Sequence, residues 1–431
     1  MAGVSGERPL RPFPAVDPEP SRRLTWRRAR WPVIAAAVAG AVAAVLLTWP
    51  SSSSASRPVQ ARFADRDGLV VFEQQPSGTL GTAAPDGSHP VMLTRIGTLQ
   101  GNDLPVASSD GRYLVNLEGQ LVTMGPAGPA SVRDLTGSED QTAQAQSNGF
   151  GWVNASFAYG SRYVVATQCQ TTNSATRESW VADLIPTTSG KFHPFGTVTS
   201  AAGDPESAGA LASVPFSQSA ATSFDECYGQ ATAPDKAIEL LRPGQAPRTI
   251  VTAAELGGAL GWPSGTPVHL SVNPSPGGDW LAVVMVSNTA PGTGIASRPE
   301  MIVVTRAGRI VADMPLPAAT SNVQWSPDGK QIASCQASQN VPSSVTVWTV
   351  GQAARRIVLP GRHDLFCTQL LWSPDGRQLI YAAQTTVKGL TQADNLQHGW
   401  TVIDLRSGRV HNVTAPGQPA AWLPAPAGET R

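Results

Sequence analysis

Trp325-Ser326-Pro327-Asp328-Gly329 returns forty-seven residues later as Trp372-Ser373-Pro374-Asp375-Gly376. In both copies an apolar stretch leads in (322–325, 369–372) and another leads out (331–334, 378–382). Ser-Pro-Asp-Gly between two such stretches suits a type I turn, because proline fixes φ at the second position and glycine accepts a positive φ at the fourth. The motif therefore predicts a strand, a turn and a strand. Its recurrence at a period of about 40–50 residues predicts the blades of a β-propeller.

Weaker copies lie upstream. Val272-Asn273-Pro274-Ser275-Pro276-Gly277-Gly278 precedes an apolar run over 280–286, Ser108-Ser109-Asp110-Gly111 precedes 112–115, and Ala158-Tyr159-Gly160-Ser161 precedes 162–166. A third and a fourth strand follow each pair, as over 400–405 and 409–413 around Arg406-Ser407-Gly408. Laid end to end, the units run 62–97, 104–136, 150–197, 209–252, 267–316, 321–359 and 366–414, which predicts an all-β, seven-bladed propeller over 62–423. Six blades is the alternative, because the unit at 209–252 has no turn motif. The last apolar stretch, Pro419-Ala420-Ala421-Trp422-Leu423, repeats the pattern that ends in Trp325 and Trp372. It is expected to pair with 68–73 and close the ring, leaving 424–431 as a flexible terminus.

The two full copies resemble the TolB-type, WD-like β-propeller repeat, in which a Trp-Ser-Pro-Asp-Gly turn joins the first two strands of a blade. The resemblance implies the fold and is poor for function. TolB itself is a soluble periplasmic protein with an added N-terminal domain, and its partners are not carried over.

Composition agrees with many turns: the 431 residues include 41 Gly and 37 Pro, and 14% charged residues exclude a coiled coil or a charge-driven disordered chain. Twenty-seven arginines beside four lysines resemble the bias of high-GC genomes such as those of actinobacteria. The formal net charge of zero is uneven. Residues 1–30 hold Arg8, Arg11, Arg22, Arg23, Arg27, Arg28 and Arg30 against Glu7, Asp17 and Glu19, which leaves the remainder mildly acidic and argues against nucleic acid as a partner.

Residues 31–49 (WPVIAAAVAGAVAAVLLTW) carry no charge and are flanked by tryptophans. At about 1.5 Å per residue they match the ~30 Å hydrocarbon core, so a transmembrane helix is expected. The preceding arginines place the Arg/Pro-rich tail in the cytoplasm and export the rest behind a Ser-rich linker over 50–61. Secretion after signal cleavage is the alternative, although signal h-regions run only about 7–15 residues.

Loop lengths distinguish two faces. Connections from first to second and third to fourth strands are tight (242–245, 306–309, 406–408), whereas second-to-third connections are long (168–177, 228–235, 287–299, 337–344, 384–399). Loops longer than a turn requires often carry function, so the long-loop face is the expected binding face. Its polar candidates are Arg177, Asp225, Glu226, His363, Asp364, Asp394 and His398. The four cysteines should lie there too, and of the three pairings open to them in an exported chain, bridging between neighbouring blades favours Cys169 with Cys227 and Cys335 with Cys367. Zinc is the weaker reading without Cys-x-x-Cys. Most tryptophans fall on strands, where packing between blades accounts for them.

Catalytic patterns are missing from the sequence: no Gly-x-Ser-x-Gly, no His-Glu-x-x-His and no phosphate-binding loop. Asp225-Glu226 is one acidic pair on the long-loop face, but neighbours on a strand point to opposite sides and do not form a catalytic couple alone. The sequence thus reads as a membrane-anchored, extracytoplasmic module that binds an envelope protein or ligand, without metal or cofactor and without enzymatic activity. The competing reading is a propeller hydrolase acting on cell-envelope carbohydrate.

Overall fold

The computed structural model describes residues 68–93, 105–135, 152–171, 178–188, 193–215, 234–287, 299–317, 320–359, 362–384 and 399–423, apart from 75–76, 117–118, 126–127, 339 and 365. The tail, the apolar segment at 31–49 and the Ser-rich linker lie outside them. Among the described residues no helix is long and apolar enough to cross a membrane.

Seven four-stranded antiparallel sheets form the blades. The second comprises Val106–Ala107, Tyr113–Val115, Gln120–Gly125 and Gly128–Asp134. The third comprises Trp152–Ala158, Tyr163–Thr171, Glu178–Pro186 and His193–Thr197, and the fourth Ser200–Gly203, Ala210–Pro215, Asp235–Leu241 and Arg248–Thr252. A short helix, α1 (Ala253–Ala259), capped by Thr252 and Glu255, leads from it into the fifth blade. That blade holds Val268–Pro274, Trp280–Ser287, Glu300–Thr305 and Ile310–Pro315. Thr320–Trp325, Gln331–Ser338, Val341–Thr349 and Arg355–Val358 make the sixth. Phe366–Trp372, Gln378–Gln384, Trp400–Asp404 and Val410–Val413 make the seventh.

The first blade is shared by both ends of the chain. Gln418–Leu423 is its innermost strand, followed outward by Leu69–Gln74, Thr79–Ala83 and Val91–Met92. The register runs from Leu69 opposite Leu423 to Glu73 opposite Gln418, with a bulge between Val71 and Phe72. All six residues of the closing strand are buried. The expected closure is therefore present.

The predicted turn recurs with one hydrogen-bond scheme. Ser326 donates its N–H to the Gln331 carbonyl and accepts from Gly329, while its Oγ binds Asp328 and receives the Gln331 N–H. Ser373 repeats this with Asp375, Gly376 and Gln378, and Ser108 with Asp110, Gly111 and Tyr113. Gly329 and Gly376 take φ of 68° and 71°, the left-handed region that favours glycine.

Two boundaries depart from the sequence reading. The fourth blade begins at Ser200, not at 209, because its first strand is only Ser-Ala-Ala-Gly and its turn substitutes Asp204 for the motif serine: the Asp204 N–H still reaches the carbonyl five residues on. The connection expected over 337–344 is mostly strand, with Ser338 opposite Val341. Pro342 and two serines there suggest a loop, yet Ser343 and Ser344 are fully buried.

Each blade presses apolar side chains against its neighbours, and tryptophans take the expected places between them. Trp325, Trp348, Trp372 and Trp400 are buried, and the ring of Trp280 packs tilted against that of Trp325, their centroids 6.2 Å apart. Three indole N–H groups reach backbone carbonyls in an adjacent blade: Trp325 to Asn273 at 2.9 Å, Trp372 to Gln324 at 3.1 Å and Trp400 to Pro85 at 2.9 Å. Buried indoles keep a polar partner in this way.

Candidate binding face

The strand order places second-to-third connections and blade-to-blade crossings on one face and the tight turns on the other. On the first face the chain runs from Thr171 to Glu178, Pro215 to Asp235, Ser287 to Glu300 and Gln384 to Trp400 between paired strands. Of the expected site residues, Arg177, Asp225, Glu226, Asp394 and His398 fall in these connections and lie outside the described residues. His363 and Asp364 are described, in the crossing from the sixth to the seventh blade.

These two neighbours have opposite fates. His363 is exposed, whereas Asp364 is fully buried. Arg362 grips both Asp364 oxygens, Nε to Oδ2 and NH2 to Oδ1 at 3.0 Å each, and its NH1 donates to Thr401 Oγ1 at 3.0 Å. The Tyr381 hydroxyl donates to Asp364 Oδ2 at 2.7 Å, and the Asp364 N–H donates to Ser343 Oγ at 3.0 Å. Burial, with the Asp364 charge added, pushes the Tyr381 hydroxyl above its ordinary pKa, so it stays a donor. Asp364 is thus no surface contact. It fastens the crossing to a strand of each blade it joins.

The disulfide between Cys335 and Cys367 ties the same two blades, with Cα atoms 6.3 Å apart. This is one of the two expected bridges. Cys169 sits in the strand Tyr163–Thr171, but its side chain and all of Cys227 lie outside the described residues.

A second buried carboxyl, at a position the sequence reading assigns to a loop end, holds the fourth blade to the fifth. Asp235 accepts the Leu270 N–H at 2.7 Å on Oδ2 and the Thr199 hydroxyl on Oδ1, and Thr199 also meets Ser213 Oγ at 2.7 Å. No surface of Asp235 is exposed. Burial overrides these bonds and pushes its carboxyl up to about 7. A group with no exposed surface is a clamp between blades; it presents no acid to a ligand. The signal available in the sequence is an acid at the head of a strand that goes on to apolar residues, Asp235-Lys236-Ala237-Ile238.

The inner wall is closed by side-chain amides that link one blade to the next. Asn154 donates to the Ala201 carbonyl at 3.1 Å and Asn322 to that of Cys367 at 2.8 Å, while Asn273 reaches Val323. Each joins the innermost strand of one blade to that of the next. With the carboxylate clamps they make a stiff base for the connections above, and rigid elements are what hold a site in place. Among the described residues no group of three or more His, Cys, Asp or Glu side chains is placed to hold a metal ion.

No protein-family model matches the chain, and no curated protein does. Solved structures do resemble it. A 6-phosphogluconolactonase-like protein from Bacteroides uniformis aligns over 83% of this chain and 98% of its own, with 11% identity and a TM-score of 0.47. An oligogalacturonate lyase from Vibrio parahaemolyticus aligns over 73% and 88%, with 11% identity and a TM-score of 0.46. The β-propeller domain of the trilobed protease from Pyrococcus furiosus, which has an open velcro topology, aligns over 61% and 70% at 9% identity and a TM-score of 0.37. Such identities transfer neither substrate nor site residues.

Proposed function

We propose that this chain is an extracytoplasmic propeller, anchored by the segment at 31–49, that binds an envelope protein or ligand through its long-connection face. The asymmetry of the two faces carries this reading. On one, turns such as Ser326-Pro327-Asp328-Gly329 are held by their own hydrogen bonds; on the other, the chain between Pro215 and Asp235, Ser287 and Glu300, and Gln384 and Trp400 exceeds what joining two strands needs. The Cys335–Cys367 bridge fits an oxidising compartment, where disulfides persist.

Topology is tested by fusing a reporter after Arg431 and sequencing the mature N-terminus. Activity of the reporter inside the cytoplasm would overturn export, and a mature chain starting near Ser56 would replace the anchor by a cleaved signal. Contact is tested with a photo-crosslinker placed in living cells at His363 or at Gln245, one on each face. A discrete adduct from His363 and none from Gln245, lost when 385–398 is replaced by an Asn-Gly turn, is the expected result. Release of reducing ends from envelope glycan by the purified chain would establish the hydrolase reading in its place, and Asp225, Glu226 and Asp394 would then be the first residues to substitute.

A further inference from the structure

A groove of about 530 Å³ opens on the opposite face, that of the tight turns, between the third and fourth blades. Small-molecule pockets span roughly 300–1,000 Å³, so the size suits a ligand of a single ring or a few more atoms. Tyr163 and His193, both half-buried, stand in its wall with Leu184, which is buried, and Gln245, which is exposed. Arg242 supplies the charge.

The guanidinium of Arg242 is held from behind. Its Nε donates to Ser207 Oγ at 3.1 Å, and the Ser207 hydroxyl donates in turn to the Asp204 carboxylate. Asp204 is fully buried and is gripped by Arg306 through NH1 at 2.7 Å and NH2 at 2.6 Å, while Arg306 Nε meets Glu206 at 2.9 Å. Burial alone would raise the Asp204 carboxyl, but Arg306 and Ser207 together hold it below its ordinary value. Both carboxylates are therefore committed to Arg306, and Arg242 has no ion-pair partner among the described residues. Nor do the side chains of Tyr163, His193 and Gln245 make a hydrogen bond to another described residue.

A guanidinium fixed in orientation and left without a counter-charge is a receptor for an anion, and its planar fork matches a carboxylate. A single such cation balances a monoanion. A doubly charged phosphate would leave net negative charge beside Leu184. From the relay that fixes Arg242 and the rings that flank it, we infer that the groove binds a small organic carboxylate, with the acid group on Arg242 and a ring or apolar body against Tyr163 and His193.

The test uses the full-length chain and saturation-transfer NMR. Glucuronate and benzoate are the probes, and their uncharged amides and inorganic phosphate are the controls. Transfer to at least one carboxylate and weaker or no transfer to its amide and to phosphate are expected. Arg242→Gln should weaken the carboxylate at least about tenfold with an unchanged melting temperature, whereas Arg248→Gln, an exposed position on the neighbouring outer strand, should leave it unaltered. If Arg242→Gln disturbs folding, Tyr163→Leu replaces it, with loss of transfer to the benzoate ring expected. Silence from both carboxylates, equal binding of the amides or phosphate, or full binding by the Arg242 and Tyr163 variants would overturn the proposal.

Discussion

Asp235 shows how one side chain makes the fold sensitive to pH. Its carboxyl titrates near 7 in the folded protein against an ordinary 3.8, so between these values the native state keeps a proton that the unfolded chain has lost. Its contribution is complete below about pH 4, falls by about 1.4 kcal/mol per unit up to about pH 7, and declines no further above that. An asparagine side chain at this position would accept from Leu270 and donate to Thr199 without titrating. The variant Asp235→Asn should therefore gain on the wild type as pH rises, its melting temperature moving ahead between pH 5 and pH 8. A difference between the two proteins that stays constant over that range would show the carboxyl already ionised in the fold. Arg306 tests the converse situation, a buried charge that needs its partner. Arg306→Met leaves Asp204 without its cation and should cost about 3–5 kcal/mol in chemical denaturation, whereas Arg377→Met, which breaks only the exposed pair with Asp375, should cost under about 1 kcal/mol. None of these partners is visible along the chain, since Arg306 and Asp204 stand 102 positions apart and nothing local to either requires the other.

At the scale of the element, legibility followed local self-sufficiency. The Ser-Pro-Asp-Gly turn encodes its whole hydrogen-bond scheme within six residues, so two copies sufficed to identify strand, turn and strand. Ser373→Ala removes an acceptor from the Gln378 N–H and from Arg377, and it should cost about 1–2 kcal/mol; the same change at Ser407, in an exposed turn, should cost less. The strand Ser200–Gly203 escaped because four small residues give no hydrophobic alternation, and only tertiary neighbours make it a strand: the Gly203 N–H donates to Ser156 Oγ in the blade before. The opening of Val341–Thr349, residues 341–344, escaped for the opposite reason. Its serines look like loop residues but are spent inside, where Ser343 receives the Asp364 N–H. Half of the cysteine pairing was also legible, because strand ends in adjacent blades must come close. The Cys335–Cys367 loop spans 32 positions, for which the chain-entropy model gives about 3–4 kcal/mol. Replacing both cysteines by alanine should lower the unfolding midpoint accordingly, and reducing agent should then have no further effect at this bridge. Of the face above these elements, the sequence located the long connections but not the clamps beneath them, which depend on contacts between blades.

The whole molecule depends on a strand that joins positions more than three hundred residues apart. Gln418–Leu423 fills the innermost place of the first blade and lies against Val106–Ala107 on one side and Phe366–Trp372 on the other, so it serves a blade and both of its interfaces. Its fit is close at both ends. A side chain at Gly417 would stand 2.3 Å from the Glu73 carbonyl oxygen, and one at Gly68 would stand 2.0 Å from that of Leu423, with Gly68 also at φ of 80°. Gly417→Ala should therefore lower the melting temperature even though it only adds a methyl group. Deletion of 418–431 should do far more. It uncovers Val70, Val71 and Phe72, which are fully buried, and removes Trp422 and Leu423 from the core. At ~1.5–3 kcal/mol for each large buried side chain, the loss corresponds to a fall of roughly 10 °C or more. It also leaves Leu69–Gln74 with an unpaired inner edge, and edges of that kind recruit strands from other chains. The truncated protein should melt early and self-associate on gel filtration, and a synthetic peptide of residues 416–425 supplied during refolding should restore part of both properties. A truncation that melts like the full chain and stays monomeric would show that the closing strand adds little to the ring's stability.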